Sequence, residues 1–186
     1  IVEPSGPSCS GKTTITRILR KTSPFSTVIY QDDFYKRESE IPTDMVTGLK
    51  NWDCPESVDF VKLFETMEYV KCHHQLPKDY PSYEENNRHD GSELLSPCVL
   101  EEIYEMSRAL NACNTSLVIV DGFMLFHKKW ITDVFDMKIW LTSSFEVMKE
   151  RRERRQGYVT QEGYWQDPPF YFEKIVWPEY KQLYQQ

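Results

Sequence analysis

A chain of 186 residues, 40% hydrophobic, is long enough for one α/β domain with a sizeable core, and residues 1–186 are expected to form that single unit. Its 22 basic and 29 acidic side chains leave a formal charge of −7, which argues against nucleic acid as a partner and requires any positive field for a phosphate to be local. No apolar run approaches a membrane span and no signal-peptide pattern opens the chain. Five cysteines (Cys9, Cys54, Cys72, Cys98, Cys113) without a C-x-x-C pair speak against a disulfide framework. A reducing compartment is expected, the cytoplasm first and the nucleus second.

Ile1-Val2-Glu3-Pro4-Ser5 stands where a buried strand should precede the next motif, yet Pro4 lacks a ladder N–H and Glu3 is a poor interior residue. A short, distorted strand or a trimmed start is expected. Gly6-Pro7-Ser8-Cys9-Ser10-Gly11-Lys12-Thr13 then fills every fixed position of G-x-x-x-x-G-K-[ST]. Glycines let the backbone wrap a phosphate with its N–H groups, and the helix that follows adds the positive end of its dipole. Gly6, Ser8, Cys9, Ser10, Gly11, Lys12, Thr13 and Thr14 are the candidate phosphate contacts, with the Thr13 hydroxyl a Mg²⁺ ligand. A Gly/Ser turn before a helix is the plain alternative. Ile15, Ile18 and Leu19 on one helical face supply the loop-then-helix context the motif needs.

Residues 27–30 read as a strand ending at Asp32-Asp33. Alternation along it sends one of these carboxylates into the site, where it could take a proton from an attacking hydroxyl; solvated turn carboxylates are the alternative. Residues 55–70 read as a helix with Val58, Val61, Phe64 and Met67 inward, and Asp53 before Pro55-Glu56 is a helix-start signal. Cys72-His73-His74 at its end is a surface cluster rather than a metal site. Residues 76–96 form a polar surface excursion, and 98–110 a helix with Leu100, Ile103, Tyr104 and Leu110 inward.

Leu117-Val118-Ile119-Val120-Asp121 is the clearest buried strand, and 137–142 is another. Asp121 occupies the position of a Walker B acid, holding Mg²⁺ directly or through water; a strand-end cap is the alternative. Ser143-Ser144-Phe145-Glu146 signals a capping box and a helix running into Arg151-Arg152-Glu153-Arg154-Arg155. Arg151 shares a face with Arg154 and Arg155, so the run reads as an arginine lid over 151–166 that neutralises charge during phosphoryl transfer, or else as a solvated face. Residues 165–184 are aromatic and expected to be helical after Pro168-Pro169.

Strands alternating with helices predict an α/β fold, a P-loop NTPase-type parallel sheet flanked by helices and closed by that lid. With no Asn-Lys-x-Asp stretch for guanine, these parts describe a small-molecule kinase. The phosphate loop, Gln31-Asp32-Asp33-Phe34-Tyr35-Lys36, Asn51-Trp52-Asp53, Ile119-Val120-Asp121-Gly122-Phe123, Arg151-Arg152-x-x-Arg155 and Asp167-Pro168-Pro169-Phe170-Tyr171-Phe172 resemble the nicotinamide riboside kinase family, fungal type, within the uridine-kinase-like group. The likeness covers nearly the whole chain.

The resemblance implies ATP-dependent phosphorylation of the 5′-hydroxyl of nicotinamide riboside, or of nicotinic acid riboside, for NAD synthesis, by a monomer using Mg²⁺. It makes Asp32 the general base and a neighbour of the metal, with Lys12, Arg151 and Arg155 at the transferring phosphoryl and Thr13 and Asp121 at Mg²⁺. It places Asp53 and Arg152 on the ribose, Tyr35, Trp52 and Tyr158 around the base, and Asp167 as a further substrate contact. An acidic, aromatic pocket suits a pyridinium cation, which aromatic faces attract by roughly 0.5–2 kcal/mol. The rivals are a kinase for uridine or cytidine, and a nucleotide-binding regulatory module without catalysis.

Overall fold

The computed structural model describes residues 1–80, 82–83, 94–112, 116–155, 157–160 and 162–184. Four parallel strands, β1 (Val2–Ser5), β2 (Ser26–Tyr30), β3 (Leu117–Asp121) and β4 (Met137–Trp140), lie in the order β2–β3–β1–β4. Helices α1 (Lys12–Thr22), α2 (Phe60–His73), α3 (Pro97–Ala112), the short α4 (Lys129–Thr132) and α5 (Phe145–Arg154) connect them and carry the chain onward. An antiparallel hairpin of β5 (Tyr158–Thr160) and β6 (Gly163–Trp165) follows α5, then a π-helical segment Phe172–Val176 that runs into α6 (Trp177–Tyr184).

Strands buried on both faces read as continuous apolar runs, and the β3 run does so because helices cover it on each side. Ile29, Val118 and Val120 pack with Leu63, Met67 and Val70 of α2 and with Met124, Leu125, Ile131 and Phe135. Val28, Tyr30 and Ile119 meet Leu19 of α1 on the other face. Each such aliphatic side chain stabilises the fold by about 1.5–3 kcal/mol when fully buried. A separate cluster of Ile41, Trp52, Met148, Tyr171, Phe172, Ile175 and Val176 fastens the 41–52 segment to α5 and the C-terminal helix.

The strand that Pro4 was expected to distort does form, with an interrupted ladder. β1 pairs with β4 along Val2–Ser5, but on the β3 side contact is made at Val2↔Ile119 and resumes at Ser5↔Gly122, with the gap falling at Glu3 and Pro4. Glu3 is fully buried, with no partner at hydrogen-bond geometry among the described residues. Burial lifts its pKa to about 9, tempered by nearby Ser5 and Lys138, so it is a neutral acid at pH 7.

Several boundaries differ from expectation. The 55–70 helix is a 3₁₀ turn, Pro55–Ser57, and then α2, whose N-cap is Asp59, accepting from the Lys62 N–H at 3.0 Å. Asp53 therefore caps nothing, and Val61 points outward. α5 begins one residue later than a box on Ser143 would place it: Ser144 caps Val147 N–H, and the third helical position is Val147, so no glutamate returns the bond. α5 also ends at Arg154, which leaves Arg155 extended and breaks the expected i,i+4 row. Trp165 is in a strand, a hairpin the sequence reading did not resolve. Leu100, Ile103 and Tyr104 of α3 are half-buried. The Leu110 side chain, Cys113, and most of 76–96 lie outside the described residues, as do positions 156 and 161 of the lid.

Candidate active site

A cavity of about 900 Å³ opens at the carboxyl ends of the strands, between the phosphate loop, the 31–35 and 52–53 segments and α5 with its hairpin. This is the usual ligand position in an open α/β sheet. The loop needs backbone shapes that few residues adopt. Gly6 has φ +145°, and a Cβ there would lie 2.0 Å from the Leu141 carbonyl oxygen. Cys9 also holds a positive φ of 63°. Lys12 opens α1, 7% exposed, and its ammonium donates to the Pro7 carbonyl at 2.8 Å. Burial lowers its pKa, while Asp121 and Asp32 pull the other way.

Asp121 ends β3 beside Lys12 and Thr13. Burial pushes its carboxyl up to about 6, opposed by Lys12 and by a hydrogen bond from the Thr13 side chain. Its Oδ2 is buried with no hydrogen-bond partner among the described residues. An unsatisfied buried carboxylate oxygen costs free energy unless something fills its coordination, and a hard cation beside a threonine hydroxyl would do so. No group of three His, Cys, Asp or Glu side chains placed for a metal occurs among the described residues, Cys72-His73-His74 included. Mg²⁺ needs none, since one or two carboxylates plus substrate phosphates and waters suffice.

The aspartate pair does not sit on a strand. Gln31–Phe34 is a 3₁₀ turn, and the turn rather than alternation separates the two carboxylates. Asp33 accepts from Tyr80 Oη at 2.7 Å and Tyr83 N–H at 2.8 Å, and burial raises its pKa to about 6. Asp32 is half-buried on the cavity wall, and its charge reaches Lys12 and Asp121 on one side and Asp53 and Tyr35 on the other. Gln31 fixes the turn: its Oε1 accepts from the N–H groups of Phe123 and Met124 at 2.8 and 3.0 Å, tying it to the segment after β3.

Across the cavity, Asp53 (4% exposed) and Arg152 (6%) form a buried pair at 3.3 Å. Burial pushes the Asp53 carboxyl up to about 6 despite the pull of Arg152. Burial also opposes the Arg152 charge, but Asp53, Tyr158 and Asp167 overcome it and hold the guanidinium firmly cationic. The backbone under Asp53 is pinned: Tyr171 Oη accepts from Trp52 N–H at 3.0 Å and donates to the Lys50 carbonyl at 2.9 Å, and Asn51 Oδ1 accepts from Asp53 N–H at 3.2 Å. Trp52 meets Tyr35 edge-on at 5.5 Å and Trp165 at 5.6 Å, while the Arg155 and Arg152 guanidiniums lie 4.0 and 4.5 Å from the Tyr158 ring centre.

Ser8, Cys9, Ser10, Gly11, Lys12, Thr13, Thr14, Asp32, Tyr35, Trp52, Asp53, Asp121, Arg151, Arg152, Arg155 and Tyr158 line one cavity. Two expected residues do not. Gly6 shapes the loop from beneath, and Asp167 stands behind Arg152, accepting from its Nε at 2.6 Å. The sequence reading assigned no role to Trp165, Tyr171 or Gln31, although Gln31 and Tyr171 stand in motifs that carry the resemblance and Trp165 lies in the aromatic C-terminal stretch.

No family model matches the chain. Relatives at the level of single proteins do. It is 38% identical over 180 residues to a nicotinamide riboside kinase of Schizosaccharomyces pombe, covering 97% of this chain and 76% of that protein. It is 36% identical over 184 residues to a nicotinamide riboside kinase of Saccharomyces cerevisiae, covering 97% and 75%. Identity to the human nicotinamide riboside kinase 1 is 32% over 180 residues, covering 97% and 74%.

Proposed function

The chain belongs to the nicotinamide riboside kinase family, and we propose that it transfers the γ-phosphoryl group of ATP to the 5′-hydroxyl of nicotinamide riboside, giving nicotinamide mononucleotide. The observation that carries this reading is the position of Asp32, one carboxylate facing both the phosphate loop with Lys12 and the Asp53–Arg152 pair across a single cavity.

Phosphoryl transfer needs little covalent chemistry from the protein; positioning and charge stabilisation do most of the work. The loop amides and Lys12 hold the donor phosphates, and Arg151 and Arg155 sit at the cavity's edge to meet charge that develops on the moving group. Asp53 and Arg152 offer an acceptor and a donor to a ribose diol, which orients the 5′-hydroxyl toward Asp32. Asp32 accepts the hydroxyl proton as the oxygen attacks. Tyr35 and Trp52 face the base, where aromatic faces and the Asp32 and Asp53 carboxylates favour a pyridinium cation, while Tyr158 borders the site beneath the Arg152 and Arg155 guanidiniums.

Thr13, the orphaned Oδ2 of Asp121 and the Asp32 carboxylate form a hard-oxygen set that fits Mg²⁺. When bound, the ion neutralises phosphate charge and screens the carboxylates from one another.

Phosphorus NMR of the product from ATP and nicotinamide riboside tests the reading. A new 5′-monoester signal with stoichiometric ADP is expected. In Asp32→Asn, kcat should drop by about 10²- to 10⁴-fold while ATP still binds. Near-normal turnover of that variant would remove Asp32 as the base.

A further inference from the structure

Arg152 carries five N–H donors, and the structure gives five contacts for them. Nε donates to Asp167 Oδ2 at 2.6 Å and Nη2 to Asp167 Oδ1 at 3.2 Å. The two contacts to Asp53 are the long ones, 3.3 and 3.4 Å. The fifth leaves the acceptor side altogether: Nη1 donates to Ser8 Oγ in the phosphate loop at 2.7 Å. The neighbouring arginine does the same one residue on, Arg151 Nη1 donating to the Cys9 carbonyl at 3.1 Å. Two consecutive residues of α5 are thereby docked on two consecutive residues of the donor loop.

A ribose diol entering beside Asp53 competes with its two contacts and leaves the two shortest in place, Nε to Asp167 and Nη1 to Ser8. The guanidinium that receives the diol is then held on one side by Asp167, itself fixed by Trp165 Nε1–H at 2.9 Å, and on the other by Ser8. A triphosphate seated on the loop restricts the same Ser8.

We propose that Ser8, acting through Arg152, is a positioning residue that couples the two half-sites, so that donor in the loop tightens riboside binding and riboside tightens donor binding. The inference rests on the riboside reading above, because it takes Asp53 and Arg152 as the acceptor's ribose contacts. Coupling of this kind is reciprocal by thermodynamic necessity. The hydroxyl at Ser8 is the link; its backbone N–H serves the phosphates independently.

Calorimetry on the full chain tests it, with nicotinamide riboside titrated in the absence and presence of saturating AMP-PNP and Mg²⁺. The ratio of the two riboside Kd values is the coupling factor, and taking it within each variant cancels changes in either binary affinity. Wild-type protein should show at least about fivefold tightening. Ser8→Ala should bring the factor to within about twofold of unity, and Ser8→Thr, which keeps a hydroxyl, should restore most of it. A wild-type factor near one, or an undiminished factor in Ser8→Ala, overturns the inference and leaves the riboside reading standing. Failure of the wild type to bind riboside at all overturns both.

Discussion

At the residue scale, two aspartates separated by one peptide bond take different work because a tight turn aims them apart. Both line the cavity, but the Asp33 carboxylate is taken up by hydrogen bonds from Tyr80 and Tyr83, and Asp32 is the half-buried one. Asp53 illustrates the same division. Its sequence neighbourhood reads equally as a helix cap, but Asp59 caps α2, so the Asp53 carboxylate is left to pair with Arg152. Asp53→Asn keeps the shape and removes the charge. A hydrogen bond to a charged group contributes about 1.5–3 kcal/mol, so kcat/KM for riboside should fall about 10- to 150-fold with the ATP KM little changed. Steady-state kinetics with each substrate varied in turn checks this; an equal effect on both substrates would contradict the assignment. Asp32 and Asp53 were legible in the sequence as candidates. Arg152 and Asp167 were legible as substrate contacts through the resemblance, but not the ion pairs that join Arg152 to both aspartates, because Asp53 lies far along the chain and only the fold brings the three together.

At the element scale, the phosphate loop and β3 could be read directly, since one follows a fixed spacing and the other is an unbroken apolar run. The arginine lid was legible only as a charge cluster. α5 stops at Arg154, and the chain turns at Gly157 into the β5–β6 hairpin, whose three-residue strands are too short to leave a periodic signal. Gly157 has φ +132°, and a Cβ there would lie 2.4 Å from the Trp165 carbonyl oxygen and 2.6 Å from the Tyr164 ring. Gly157→Ala should therefore displace Trp165, loosen its bond to Asp167 and raise the riboside KM severalfold. The sheet core is remote from this change, so Tm should move little. A large fall in Tm with an unchanged KM would contradict this account of the hairpin.

At the scale of the whole molecule, the fold buries acids and lifts their pKa values toward neutrality. Asp33, Asp53 and Asp121 are each lifted to about 6 from 3.8, and Glu3, outside the site, to about 9 from 4.5. A raised pKa means the folded state holds protons that the unfolded chain releases, so the stability these acids contribute falls as pH rises from about 4 through 6, and further toward 9 for Glu3, while the lowered pKa of buried Lys12 contributes in the opposite sense. Turnover runs the opposite way, because Asp53 and Asp121 act as carboxylates, and kcat/KM should decline below about pH 6. Thermal unfolding from pH 6 to 9 isolates Glu3: the Tm of the wild type relative to Glu3→Gln should fall as pH rises. A difference between wild type and Glu3→Gln that stays constant with pH would contradict burial of Glu3 as a neutral acid.

Under the proposed function, the carboxylates and aromatic rings of the cavity favour a pyridinium riboside over a neutral nucleoside. The measurement that reaches this preference most directly is kcat/KM for nicotinamide riboside, uridine and cytidine in one ADP-release assay with Mg·ATP. Nicotinamide riboside is expected to be the preferred acceptor by at least about tenfold, the low end of what one cation–aromatic contact of about 1.4–2 kcal/mol supplies when desolvated. Preference for uridine or cytidine, or no turnover of nicotinamide riboside, would contradict the proposed function.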